Sequence, residues 1–180
     1  MNALIAYHSD YGNTKKMAEA IAAGMKASQT DISIQLKSAE HTTLNDLSDA
    51  DVIVFGTPVH MGSMAWPLKK LIDQAGKLWM DGSLEGKVAG VFASGGGFGG
   101  AGGGVEQTMV SLYSNFLEHG MLVIGFPKSL PGYADGGLQW GPYGRSANHQ
   151  GMPSQISDAS LVAARSYGAH LAETTARIIR

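Results

Sequence analysis

The chain contains no cysteine, which excludes disulfides, thiolate nucleophiles and cysteine-ligated metal centres together. It is also short of net charge: 13 Lys+Arg stand against 15 Asp+Glu, giving −2 at pH 7 and a pI near 6.3. Without a basic excess there is no electrostatic footprint for nucleic acid or for an anionic membrane surface, and neither is expected as a partner. No apolar run approaches the roughly 20 residues that a membrane helix needs. The first residues pass directly into the strand-like ALIAY, with neither a basic region nor a cleavage site, so a cytoplasmic address is expected. The six histidines form no i,i+4 pair and no carboxylate cluster along the sequence, and no metal is expected.

What remains is ordinary in bulk and unusual in one place. With 44% hydrophobic and 16% charged residues, residues 1–180 read as one soluble domain with a substantial core. Glycine is abundant at 25 residues, and eight of the ten positions 95–104 are glycine.

Apolar runs at 3–7 and 51–56 predict buried strands, and the alternation of Ile32, Ile34 and Leu36 within 31–37 predicts a half-buried edge strand. Further strands are expected at 87–94 and 121–125. Helical spacing predicts helices over 14–27, 44–50, from 66–67 onward, from 105 to a stop at Gly120, and over 158–178. Residues 126–153 read as a long Gly/Pro/aromatic loop, too long for a passive connector and therefore functional or an interface. Five alternations of strand and helix specify a parallel sheet with helices on both faces.

In such a fold every loop that follows a strand lies at the same carboxyl edge, where ligands bind. The stretch from Ser9 through Asp10, Tyr11, Gly12 and Asn13 to Thr14 joins a strand to a helix N-terminus. Unpaired N–H groups and the helix dipole make that an anion site, and Ser9 and Thr14 add hydroxyl donors. It is not a Walker loop, since no Gly-Lys-Ser/Thr follows, and Gly-x-Gly-x-x-Gly is absent from it. A phospho-acceptor receiver domain would need Asp where the third strand ends in Gly56-Thr57. The second loop offers Pro58, Val59, His60, Met61 and Gly62, largely uncharged; the third, from Ser94 through Gly95, Gly96, Gly97, Phe98 and Gly99, is nearly all backbone. One phosphate cradle, one apolar wall and one backbone-lined wall describe a pocket for flavin mononucleotide (FMN).

The segments SDYGNT (9–14), GTPVHMG (56–62), GKLW (76–79), VFAS (91–94) with its glycine run, EQT (106–108), HGM (119–121) and GPYG (141–144) occur in that order. Together they resemble the flavodoxin-like WrbA family of FMN-dependent NAD(P)H:quinone oxidoreductases over nearly the whole chain. The resemblance implies a three-layer α/β/α flavodoxin fold with a five-stranded parallel sheet in the order 2-1-3-4-5. It implies FMN as cofactor, NADH or NADPH as electron donor, a quinone-like acceptor and a tetramer; as the family's usual insertion is missing here, a homodimer or homotetramer is expected. It places the FMN phosphate at Ser9 and Tyr11–Thr14, and the ring at Val59, His60, Met61 and Ser94 through Gly99. Tyr11, His60 and Trp79 would meet the second substrate.

The chain departs from the family in four places. His60 replaces the usual Arg, Glu118 stands where the family has a flavin-contacting His, the glycine loop is longer, and the insertion between strands two and three is missing. The cofactor would carry the chemistry, so no side chain is assigned as catalytic. A flavodoxin-type electron carrier and a non-enzymatic interaction module of the same fold are the competing readings. The first tends to strong acidity and the second would have no use for an intact phosphate loop.

Overall fold

The computed structural model describes residues 1–97, 103–148 and 150–179. Four parallel strands form the frame: β1 (Asn2–Tyr7), β2 (Ser33–Ser38), β3 (Val52–His60) and β5 (Val88–Gly95). They lie in the order β2-β1-β3-β5, with β2 at the edge. The period-2 alternation of strand side chains divides the core between two faces. Leu4, Ala6, Ile53, Phe55, Ala89 and Val91 face helices α3 (Trp66–Gln74) and α5 (Val105–Glu118). Ala3, Ile5, Val52, Val54, Val88 and Phe92 face α1 (Asn13–Ala27) and α7 (Asp158–Ile178). Among the described residues no helix is long and apolar enough to cross a membrane.

Helices α1 and α7 touch backbone to backbone. A Cβ added at Gly24 would lie 1.9 Å from the Arg165 carbonyl oxygen, and one at Gly168 would lie 2.1 Å from that of Ile21. Only glycine allows this approach, and it fixes the helix whose N-terminus forms the predicted anion site.

Two expectations are corrected. Strand β3 does not stop at Gly56 but continues to His60 and folds back through Met61-Gly62 into β4 (Ser63–Met64). Both turn residues are left-handed, φ 48° at Met61 and 82° at Gly62, as a two-residue hairpin of matching twist requires. The Thr57 hydroxyl accepts the Ala65 N–H at 2.9 Å and fastens the hairpin to the start of α3.

The fifth strand, expected at 121–125, is split. Strand β6 (Leu122–Val123) pairs with the first residues of β5, and β8 (Gly141–Arg145) with its last, both in parallel. Between them lie α6 (Tyr133–Gly136) and β7 (Gly137–Leu138), which pairs with β8. The interruption frees backbone carbonyls, and buried tyrosines satisfy them. Tyr167 donates to the Ile124 oxygen at 2.6 Å, and the Tyr113 hydroxyl contacts both that oxygen, at 2.8 Å, and the Trp140 carbonyl. Burial pushes the Tyr113 hydroxyl up to about 12 and that of Tyr167 well above the ordinary value, so both remain donors. The 126–153 segment thus places seven residues in strands β7 and β8, and β8 leads into residues 146–148 and 150–155 at the carboxyl edge.

Candidate functional site

Loops after β1, β3, β5 and β8 meet at that edge around a cavity of about 490 Å³, within the size range of cofactor pockets. Its lining includes Tyr11 and Asn13 from the first loop and Pro58, Val59 and His60 from β3, with Gly95 and Gly96 following β5. Residues Ser146, Ala147, Gly151, Pro153, Ser154 and Gln155 close its remaining side. Sequence reasoning missed this last group. Its one signal was a loop too long to be idle.

Helix α1 begins with Gly12 at its N-cap, in a left-handed conformation (φ 83°). Glycine brings no side chain to its own helix start, and the space beside it is open to 4 Å. Of the first N–H groups of α1, those of Asn13 and Thr14 are thus left for an external anion. Ser9 Oγ accepts the Lys15 N–H at 3.3 Å. The Thr14 hydroxyl is buried and bonds Ser94 Oγ at 2.8 Å. This open helix end with a buried hydroxyl beside it fits a phosphate. The adjoining cavity, bounded by Pro58, Val59 and glycine backbone, fits a flat ring.

Several predicted residues hold different posts from those expected. Ser94 is buried against Thr14, and neither side chain is among the residues that line the cavity. The Asn13 side chain is engaged with the last loop, donating to the Ser154 carbonyl at 3.1 Å and accepting the Ile156 N–H at 3.3 Å. Met61 projects fully into solvent at the tip of the hairpin, with Gly62 beside it, and neither lines the cavity. Gly97 is described but lies beyond the lining; Phe98 and Gly99 fall outside the described residues.

Trp79 is half-exposed on α4 (Gly76–Met80), which continues α3 away from the carboxyl edge. One chain does not bring it to Tyr11 and His60. Glu118 and His119 stand at the far end of α5, also away from the cavity. Burial holds the His119 imidazole below its ordinary value, and its Nδ1 has no partner among the described residues.

The site also contains a chain of four titratable side chains that sequence spacing concealed. Glu40 Oε1 lies 2.7 Å from His8 Nδ1, His8 Nε2 lies 3.1 Å from Asp10 Oδ1, and Asp10 Oδ2 lies 3.2 Å from His60 Nε2. Residues 8, 10, 40 and 60 come from three segments and meet only because β2, β1 and β3 are neighbours. Among the described residues no group of His, Asp and Glu is arranged to hold a metal ion.

Comparison with known proteins places this arrangement. The flavodoxin domain family matches residues 4–97. Proteins named NAD(P)H dehydrogenase (quinone) from Solidesulfovibrio magneticus and Geotalea uraniireducens are 35% and 36% identical to the chain. The alignments cover 99% of both proteins in the first case and 100% of both in the second. The chain belongs to the flavodoxin-like NAD(P)H dehydrogenase (quinone) family. Among solved structures, the flavodoxin, WrbA-like protein from Agrobacterium tumefaciens superposes with a TM-score of 0.74 at 29% identity, over 98% of each chain. The two family alignments run to 204 and 207 positions against 180 residues here, so those relatives carry segments that this chain lacks.

Proposed function

We propose that this protein is an FMN-dependent oxidoreductase that passes two electrons from NADH or NADPH to a quinone or similar acceptor. The observation that carries the reading is the N-terminus of α1, to which Gly12 brings no side-chain cap and where Ser9 takes only the Lys15 N–H, beside a cavity bounded by Pro58, Val59, His60, Gly95 and Gly96. When bound, FMN supplies a flavin ring able to accept hydride and to return two electrons.

The chain's own residues hold and shape. N–H groups at the start of α1 and the Thr14 hydroxyl, oriented by Ser94, take the phosphate. Gly95 and Gly96 present backbone to the ring, and the Gly95 carbonyl is itself fixed by the Tyr143 hydroxyl at 2.9 Å and the Ser146 N–H at 2.9 Å. Ser146, Ala147, Gly151, Pro153, Ser154 and Gln155 shield the other side from water. Tyr11, 88% exposed, is free to close over a second substrate. A cytoplasmic address and a homodimer or homotetramer, in which another subunit could bring Trp79 to the site, belong to the same reading.

Protein reconstituted with FMN is expected to oxidise NADH or NADPH steadily when benzoquinone is present. A flavin-loaded protein that turns over neither nucleotide would overturn the enzyme reading in favour of an electron carrier.

A further inference from the structure

A carbonyl oxygen has two lone pairs, and at Gly95 both are taken. The Tyr143 hydroxyl donates to it at 2.9 Å and the Ser146 N–H also at 2.9 Å. We propose that Tyr143 is a positioning residue: by holding the Gly95–Gly96 peptide, it aims the Gly96 N–H into the main cavity as donor to an acceptor atom on the edge of a bound flavin ring. This rests on the FMN reading above. It adds to that reading the group that meets the ring edge and the side chain that sets its direction.

The direction follows from the sheet. Strand β5 lies between β3 and β8. Gly95 is paired with Arg145 of β8, and its carbonyl points to that side, toward Ser146. A trans peptide turns its N–H opposite to its carbonyl. The Gly96 N–H therefore faces the β3 side, where Pro58, Val59 and His60 line the cavity. Gly95 itself is buried, and a Cβ placed on it would lie 3.1 Å from Val59 Cβ; Gly96, the next residue, is exposed and lines the cavity. Among the described residues no acceptor takes the Gly96 N–H. It is a donor held in one orientation before any ligand arrives, which lowers the ordering cost of binding.

Tyr143 acts through Gly95 and not by touching a ligand in the main cavity. It pairs with Ala93, two residues before Gly95, and its side chain reaches along the sheet to the Gly95 oxygen. Its ring lines a separate cavity of about 710 Å³, together with Leu138, Trp140 and the first turn of α5. Burial pushes its hydroxyl above the ordinary tyrosine value, against a smaller opposing influence of Arg145, so the hydroxyl stays a donor at neutral pH.

Tyr143→Phe removes one of the two bonds and keeps the bulk of the ring. Affinity for FMN and for riboflavin should fall by the same factor of about 5, the scale of one hydrogen bond, because the loss lies at the ring they share and not at the phosphate. A loss for FMN alone, or for neither, would overturn the proposal. Two spectroscopic readouts separate aiming from general loosening of the site. In isotopically labelled wild type, the Gly96 amide proton should move downfield when riboflavin binds, and by less in Tyr143→Phe; an amide that does not respond in the wild type contradicts the contact. The midpoint potential of bound FMN should become more negative in Tyr143→Phe, since a donor aimed at the ring favours its electron-rich reduced form; an unchanged potential contradicts the aiming. In the flavin-free protein the Gly95 carbonyl carbon should shift upfield in Tyr143→Phe, and an unshifted carbon contradicts the hold on the peptide. A wild type that binds neither flavin overturns the FMN reading and the ring contact with it, and the carbon shift alone then decides whether Tyr143 holds the peptide.

Discussion

Gly24→Val is expected to destabilise the protein by about 3 kcal/mol or more, beyond the usual range for an overpacked side chain. The obstruction is backbone rather than a side chain able to swing aside: the first added carbon would sit 1.9 Å from the Arg165 carbonyl oxygen, and the next backbone nitrogen, that of Ala169, would be 3.1 Å away. Relief requires α1 and α7 to separate. Met17, Ile21 and Met25 on α1 share their core with Tyr167, Leu171 and Ala172 on α7, so separation loosens the whole face. Urea unfolding followed by circular dichroism measures the loss. Since α1 also carries the phosphate cradle, FMN affinity should fall with stability. A variant with wild-type stability would mean that the two helices are not in backbone contact.

Thr14→Ala should weaken FMN by about 1–3 kcal/mol, or roughly 5- to 150-fold, the scale of a hydrogen bond to a charged group. Thr14 is the second residue of α1, is buried, and is tied to Ser94 at 2.8 Å. The Ser94 hydroxyl can donate to Thr14 while Thr14 donates onward, so Ser94→Ala should show a smaller loss in the same direction. Riboflavin, which lacks the phosphate, should bind Thr14→Ala and wild type alike. Fluorescence titration of the flavin-free proteins reads all of these affinities. Unchanged FMN binding in Thr14→Ala would move the phosphate elsewhere.

Much of this was legible in the sequence because periodicity and punctuation agreed with the fold. The apolar runs at 3–7 and 51–56 lie within or along β1 and β3, and 158–178 marked the last helix at its observed bounds, Asp158–Ile178. The exceptions share a cause. Residues 141–145, Gly-Pro-Tyr-Gly-Arg, have the composition of a loop, yet they form β8 because the end of β5 lies open to pairing. Tertiary context outweighed local preference there. Thr57-Pro58 likewise read as a stop, whereas Thr57 is fully buried in a strand that runs on to His60.

The site divides along the same line. The phosphate loop is local in sequence and could be read directly. The Ser94–Thr14 pair, the closing segment 146–155 and the Glu40–His8–Asp10–His60 chain span 80 residues or join separate strands, so spacing alone carried no sign of them. Trp79 shows the converse. Its place in an ordered set of motifs assigned it to the pocket, but the direction of α3 and α4 takes it away from the cavity of its own chain.

The most direct test of the phosphate cradle is calorimetric titration of the flavin-free wild-type protein with FMN and, separately, with riboflavin. If the N-terminus of α1 holds the phosphate, FMN should bind at one site per chain and about 100-fold or more tighter than riboflavin, as loss of several charge-assisted hydrogen bonds requires. Equal affinity for the two, or no binding of FMN, would contradict the cradle and the cofactor assigned to it.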